Sequence, residues 1–284
     1  MKITDLPAAY ARNHDIRSST REQLDNVAKL LHRFIGAAAT SYDLSADMLN
    51  RWLDARKRVV ANRTVRGNRT SAMMLWREAH RIGASAIKPE GVKTIKKADI
   101  VPVALLRHEI VKLLAEAAKL EDTFERTGQS RALWMESLLR AIYDTGMRRD
   151  DCWSLEIPWI TTGRVTIVQH KTGHRHTAQL RTRTMELIAQ LVGDRKTGLI
   201  WLPWWSEDDS FNSLLTRMRK RAGLPYGNTK HLRRASASYV EAEHPGCGAK
   251  HLGHRTAGMA EEFYLDPRIV KPQTFLPTDI DDAA

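Results

Sequence analysis

Cysteine is scarce in this chain: only Cys152 and Cys247 occur in 284 residues. One pair allows at most one bridge, so a disulfide framework is excluded, and a reducing compartment suits the chain better than an oxidising one. No apolar run reaches the ~18 residues that a membrane span needs. The opening segment, MKITDLPAAYARN, has no apolar stretch of the signal-peptide kind. A cytoplasmic location without membrane contact is therefore expected. Internal repeats and low-complexity tracts are missing too, so no repeat architecture is expected. Acidic residues are in deficit, 33 against 45 lysines and arginines, which leaves a net charge of +12. An excess that large usually serves a polyanion, most often nucleic acid. A basic protein whose charge only keeps it dissolved is the plainer alternative.

What is present is enough for a real core, with 42% apolar residues, and the length suits two domains. The first third reads as helical. Ser19 and Glu22 have capping-box spacing, and Leu24, Val27, Leu30, Leu31, Phe34 and Ile35 follow at helical intervals. Ser45 is placed to cap a second helix carrying Met48, Leu49, Trp52 and Leu53. A third is expected from about Thr64, with Val65, Met73, Leu75, Trp76 and Ala79. Arg56, Lys57, Arg58, Arg63, Arg66, Arg69, Arg77 and Arg81 lie between these stripes. They form either a solvated basic face or one pressed onto a DNA backbone. Residues 88–100, KPEGVKTIKKADI, combine proline, glycine and lysines and read as an interdomain linker, placed at 91–100.

From about residue 101 a second pattern starts. Residues 105–120 and 131–143 read as amphipathic helices, the latter stopped by Asp144-Thr145-Gly146. Residues 164–169, RVTIVQ, alternate as a strand; 170–173, HKTG, form a turn, and 176–180 the return strand. Helices are expected at about 182–192, 207–222 and 230–242. The fold class is thus mainly α with a small antiparallel β-sheet: a helical domain, a linker, and a mostly helical second domain.

Four short motifs follow in order over residues 145–264. They are Thr145-Gly146-Met147-Arg148 with Asp151 and Leu155; Lys171 in VQHKTGHRH; residues 229–239, TKHLRRASASY; and Leu252-Gly253-His254 followed by Tyr264 in GMAEEFYLDP. Each alone is weak, since a surface arginine, a turn lysine or a rim tyrosine would look the same. Together they resemble the tyrosine recombinase (phage integrase) family. The likeness is specific in the second half and looser in the first, where TVRGNRTSAMMLWREA resembles the family's helical core-binding domain. Two departures stand out. The third motif reads in two registers: Leu232 in the family's leucine position makes Arg233 the catalytic arginine and puts Lys230 where histidine is usual, while His231 with Arg234 restores the histidine and shifts the leucine. The first is favoured by the small residues that follow. Neighbours on a helix point about 100° apart, so only one arginine enters a site. The other departure is spacing, short before Leu252 and slightly long between His254 and Tyr264.

The resemblance implies a DNA breaking-rejoining catalytic domain at 101–270 and a core-binding (SAM-like) DNA-binding domain at 1–90, clamping duplex DNA in a C shape. Little precedes the helical domain, so no separate arm-binding domain is expected. It implies that Tyr264 attacks phosphorus and becomes a 3′-phosphotyrosine while a 5′-hydroxyl leaves, with no ATP, metal or other cofactor. Arg148 and Arg233 would clamp the phosphate, because guanidinium offers bidentate donors and keeps its charge. His254 would add a donor, Lys171 would protonate the leaving oxygen, and Lys230 or His231 would take the tyrosine proton or hold the phosphate. Asp151 would orient Arg148 by an ion pair. Arg63, Arg66, Arg69, Arg77, Lys96, Lys97 and His174 are the candidate DNA contacts. Implied partners are double-stranded DNA, further copies making a tetramer on two duplexes, and accessory DNA-bending proteins, all beside the nucleoid of a prokaryotic or viral setting.

Other readings compete. A type IB topoisomerase shares the chemistry without strand exchange, and a non-catalytic DNA-binding derivative would share the fold. His244, Cys247, His251 and His254 are the best alternative motif, a zinc site, though they match no common zinc spacing. Trp153, Trp159, Trp201, Trp204 and Trp205 suit core packing better than base stacking. After Tyr264, Ile269, Val270, Phe275 and Leu276 are apolar enough for the tail, 271–284, to dock on a neighbouring protomer. A solvated acidic tail is the alternative.

Overall fold

The apolar stripes of the first third fold as helices α1 (Leu6–Asn13), α2 (Ser18–Ile35), α3 (Ala46–Lys57) and α4 (Asn62–Arg81). The structure, a computed structural model, describes residues 1–97, 101–204 and 208–271. Leu24, Val27 and Leu31 of α2, Leu49, Trp52 and Leu53 of α3, and Val65, Leu75, Trp76 and Ala79 of α4 are all buried in one core. Ser45 caps α3 as its sequence suggests, its Oγ accepting from the Met48 amide at 3.2 Å. The Ser19–Glu22 capping box does not form: α2 already starts at Ser18, behind Arg17, which makes no side-chain cap. Helix α1 is too short to show a period and was not foreseen. It starts with a proline in its first turn, where the missing N–H costs nothing, and buries Leu6 and Ala9.

The expected linker is largely part of this unit. Val92 and Ile95 enter the helical core. The Arg69 guanidinium donates to the carbonyls of Lys93 (2.7 Å) and Val92 (3.0 Å), and the Lys93 amide donates to Asn50 Oδ1 (2.9 Å). Two apolar residues among proline, glycine and lysines carry no periodicity, so composition alone reads as linker. Residues 98–100 lie outside the described residues. The chain divides into two compact units, Met1–Asp99 and Ile100–Ala284.

The second unit follows the expected order: α5 (Arg107–Ala118), α6 (Arg131–Thr145), α7 (Arg149–Trp153), β1 (Ile160–Thr161), β2 (Arg164–Val168), β3 (Arg175–Gln179), α8 (Thr182–Val192), α9 (Asp208–Arg221), α10 (Thr229–Glu243), α11 (Gly248–His251) and α12 (Ala257–Phe263). The two-residue β1 and the short α7, α11 and α12 had no readable pattern. The sheet is antiparallel in the order β1-β2-β3, with Ile167 opposite His176. Alternation puts Val165 and Ile167 into a core built on α6, where Trp134, Leu138, Leu139 and Ile142 are buried. The fold is mainly α with a small antiparallel sheet.

Tryptophan mostly fills this core. Trp201 is buried and donates to Ser137 Oγ (2.9 Å); Trp204 stacks on Phe124 at 4.2 Å, and Trp153 meets Phe211 edge-on at 5.2 Å. Trp159 is 41% exposed. Trp205, Phe275 and Leu276 lie outside the described residues, and Ile269 packs against this unit's own core rather than standing free.

Candidate active site

Helix α6 stops where Gly146 turns left-handed (φ +61°), and the chain emerges extended at Arg148. Glycine is required here twice over: a Cβ would also lie 2.8 Å from His251 Nε2. Arg148 Nη1 donates to Gln169 Oε1 at 3.0 Å. From α10 comes Arg233, only 3% exposed. Its Nη1 donates to the Gly146 carbonyl, and its Nη2 donates to the Leu252 carbonyl (3.2 Å) and to His254 Nε2 (3.2 Å). One guanidinium thus joins the first motif to the Leu-Gly-His turn. Burial and the neighbouring Arg148 charge lower its pKa to about 10, so it stays charged at neutral pH.

His254 follows Gly253 (φ +67°), where a Cβ would lie 2.7 Å from His176 Nδ1. Burial, Arg233 and Arg148 hold its pKa near 4, so the ring is neutral. Its Nε2 accepts from Arg233, which assigns the proton to Nδ1. That buried Nδ1 has no partner among the described residues. The ring lies 5.0 Å from that of Tyr264, and Arg233 Cζ lies 5.2 Å from the same tyrosine ring. Burial raises the phenol pKa, but the charges of Arg233, Arg148 and Lys230 outweigh it and the net shift is downward. Tyr264 ends α12 and is tied down nearby: Ser238 Oγ donates to its carbonyl (3.2 Å) and accepts from the Asp266 amide (2.9 Å), while Asp266 Oδ2 accepts from the Ala104 amide (2.6 Å).

Two arginines, a neutral imidazole with one N–H to give, and an acidified phenol form a constellation suited to an anionic phosphorus centre and an oxygen nucleophile. A profile of the phage integrase family matches residues 103–268, a span that contains all of these groups.

The chain belongs to the phage integrase family.

Phage integrases are tyrosine recombinases, so this is a site-specific recombinase that cuts and rejoins DNA without a cofactor. Its fold is similar to that of a lambda integrase dimer bound to a COC′ core site (TM-score 0.73, 17% identity, 95% of each chain covered). It is also similar to a lambda integrase tetramer bound to a Holliday junction (0.74, 18%, 98% of this chain and 79% of that one). A third similar structure is the Tn1549 transposon integrase with circular intermediate DNA (0.69, 10%, 100% and 98%). At these identities the structures show a shared fold. No curated protein sequence matches the chain.

Within this integrase, Arg233 rather than Arg234 stands with Arg148 and Tyr264. Arg234 turns to the backbone, donating to the carbonyls of Phe263 (2.9 Å) and Val103 (3.2 Å). His231 belongs to the start of α10, its Nδ1 accepting from the Asn228 amide (3.3 Å), and burial beside Arg234 and Lys230 lowers its pKa to about 4. Lys230 is exposed in the first turn, near enough for its charge to act on Tyr264. Lys171 stands apart, exposed in the turn between β2 and β3, with no bond to the arginines or Tyr264 among the described residues.

Asp151 forms the expected ion pair with Arg148, Oδ2 lying 3.8 Å from Arg148 Nη1. Its other oxygen, Oδ1, accepts from the His170 amide (2.8 Å) and faces His170 Nδ1 (3.3 Å), so the same carboxylate also fastens the base of the hairpin turn. The group that Arg148 hydrogen-bonds is Gln169, which sequence reasoning passed over because a glutamine at a strand end carries no signal. His251, which the sequence offered only as a member of the alternative zinc set, is instead hydrogen-bonded to Ser236 at 2.6 Å beneath Gly146. Among the described residues no group of three His, Cys, Asp or Glu is arranged to hold a metal ion; of the alternative zinc set, His251 is bonded to Ser236 and His254 to Arg233. Nor is any helix among them long and apolar enough to cross a membrane.

Of the candidate DNA contacts, Arg63, Arg66 and Arg77 are exposed on α4. At 100° per residue they fall within an arc of about 60°, away from the buried stripe. Arg69 is spent on the Val92 and Lys93 carbonyls and does not belong with them. Lys96 and Lys97 are exposed, and His174 is half-buried in the hairpin turn.

Proposed function

We propose that Tyr264 is the nucleophile, that Arg148, Arg233 and His254 hold the scissile phosphate, and that Lys171 is the general acid. The phenolic oxygen bonds to phosphorus, the bond from phosphorus to the 5′-oxygen breaks, and Lys171 gives that oxygen a proton. Lys230, whose charge is close enough to lower the phenol's pKa, stabilises the phenolate and helps hold the phosphate, and the phenolic proton passes to solvent. The phosphodiester energy is kept in the 3′-phosphotyrosine, so rejoining needs neither ATP nor metal. The observation that carries this reading is Arg233, buried between the Gly146 carbonyl, His254 and the Tyr264 ring.

Duplex DNA is the substrate, and the reaction takes place in the cytoplasm at the nucleoid. Four copies act on two duplexes; support comes from the lambda integrase structures of similar fold, a dimer on a core site and a tetramer on a Holliday junction. Residues 1–90 serve as the core-binding domain and 101–270 as the catalytic one, with accessory DNA-bending proteins as further partners. The test is a suicide substrate nicked beside the scissile phosphate. Wild type should be trapped on DNA, while Tyr264→Phe should lose trapping and keep its affinity. Binding without any trapping by wild type would reduce the protein to a DNA-binding module. Relaxation of a plasmid that carries no paired sites would instead point to a topoisomerase.

A further inference from the structure

We propose that Gln169 is a positioning residue that couples the Lys171 hairpin to both arginines, so that the acid and the phosphate clamp assemble together. This rests on the roles given above for Arg148, Lys171, Arg233 and Tyr264.

Gln169 is 1% exposed, at the point where β2 enters its turn. Its Oε1 accepts from Arg148 Nη1 (3.0 Å) and from Thr172 Oγ1 (2.8 Å), and its Nε2 donates to the Leu252 carbonyl (3.1 Å). That carbonyl also receives Arg233 Nη2. The amide orientation is forced, because the flipped form would set oxygen against the Leu252 oxygen and NH2 against a guanidinium. The backbone of the same residue closes the turn: its amide donates to the His174 carbonyl (2.8 Å), and its carbonyl accepts from the Gly173 amide (2.8 Å). Gly253 leaves room for the side chain, since a Cβ there would lie 2.9 Å from Gln169 Nε2. Lys171, with no anchor of its own to the arginines, is flanked by Gln169 two residues before and Thr172 one after. A shift of the hairpin therefore pulls on Arg148 and on the carbonyl shared with Arg233. Buried amides left half-bonded are costly, which favours all of these bonds together or none.

The test separates positioning from mere folding. Sulfur in place of the bridging 5′-oxygen leaves as a thiolate and needs no proton, so a 5′-thio nicked substrate bypasses Lys171. Gln169→Met keeps the volume and removes the hydrogen bonds. With melting temperature and DNA affinity near wild type, it should slow trapping on the ordinary substrate by about 10–100-fold, the range for residues that orient a functional side chain. Sulfur should restore part of that rate and leave the share that acts through Arg148, while Lys171→Ala is restored in full. In a Lys171→Ala background, Gln169→Met should cost less than in wild type. Should Gln169→Met fail to fold, Thr172→Val, which removes one bond at the turn, carries the same sulfur test. Equal losses on both substrates and in both backgrounds, or a folded variant at the wild-type rate, would overturn the coupling. Trapping by Tyr264→Phe, or an unimpaired Arg148→Ala, would bring down the catalytic reading and this proposal with it.

Discussion

Arg233 carries two loads, and its neighbour Arg234 points away from the site. Arg233 faces Tyr264 and His254 while also satisfying two backbone carbonyls; Arg234 turns to the backbone carbonyls of Phe263 and Val103. Arg233→Ala should therefore lower single-turnover trapping by about 10²–10³-fold, as expected on losing one preorganised donor. Arg234→Ala should lower unfolding free energy by about 1–3 kcal/mol, because two half-buried carbonyls lose their charged donor, and leave the trapping rate of the folded protein within a few-fold. The reverse pattern in trapping assays and urea titrations would return the catalytic part to His231 and Arg234. The histidines set a pH dependence. His231, His251 and His254 are each held near pKa 4 against 6.5 in a free side chain, by burial first and then by neighbouring cations. Between those values the unfolded chain binds protons that the folded chain refuses, so stability falls as pH drops from about 6.5 towards 4 and is constant in this respect above. Melting temperature should decline between pH 7 and 5, and His251→Asn should make the decline shallower. A flat profile over that range would contradict neutral buried rings.

At the scale of elements, the site is made from ends: the stop of α6, the first turns of α10, the hairpin turn, and the close of α12. Ends present side chains and backbone groups in directions that no helix interior offers. The stop of α6 is the tightest of them. Gly146→Ala would place a side chain at φ +61° with its Cβ 2.8 Å from His251 Nε2. Strain of this kind costs about 1–3 kcal/mol before the clash is counted. Thermal melts should show that loss, and trapping should fall as well because the Gly146 carbonyl holds Arg233. A melt unchanged from wild type would mean that the turn relaxes freely. Most long helices and the hairpin were legible beforehand because they repeat at 3.6 or 2 residues. The short α7, α11 and α12 were not, since an element of one or two turns is fixed by what it packs on.

For the whole molecule, a net charge of +12 predicts affinity dominated by phosphate contacts and steeply weakened by salt. Arg63, Arg66 and Arg77 share an exposed face of α4 and have no acidic partner among the described residues. Each alanine substitution there should reduce the slope of log K against log[salt] by about 1. Arg69→Ala should leave the slope alone and lower the stability of the helical unit, because its guanidinium holds Val92 and Lys93. Fluorescence anisotropy across a salt series distinguishes the two, and a slope change at Arg69 would reassign it to DNA.

The order of the chemistry was already written along the chain: an arginine after a glycine stop, a lysine on a hairpin, an arginine pair at a helix start, and a histidine and a tyrosine near the end. Each of those signals is local, carried by a few neighbouring residues. Packing in three dimensions set Arg233 rather than Arg234 beside Tyr264, joined Asp151 to the hairpin as well as to Arg148, brought Gln169 to Arg148, and folded Val92 and Ile95 into the helical unit. Those outcomes depend on how far a helix is rotated by its packing, and on distances between residues remote in the chain, which no single stretch of sequence encodes.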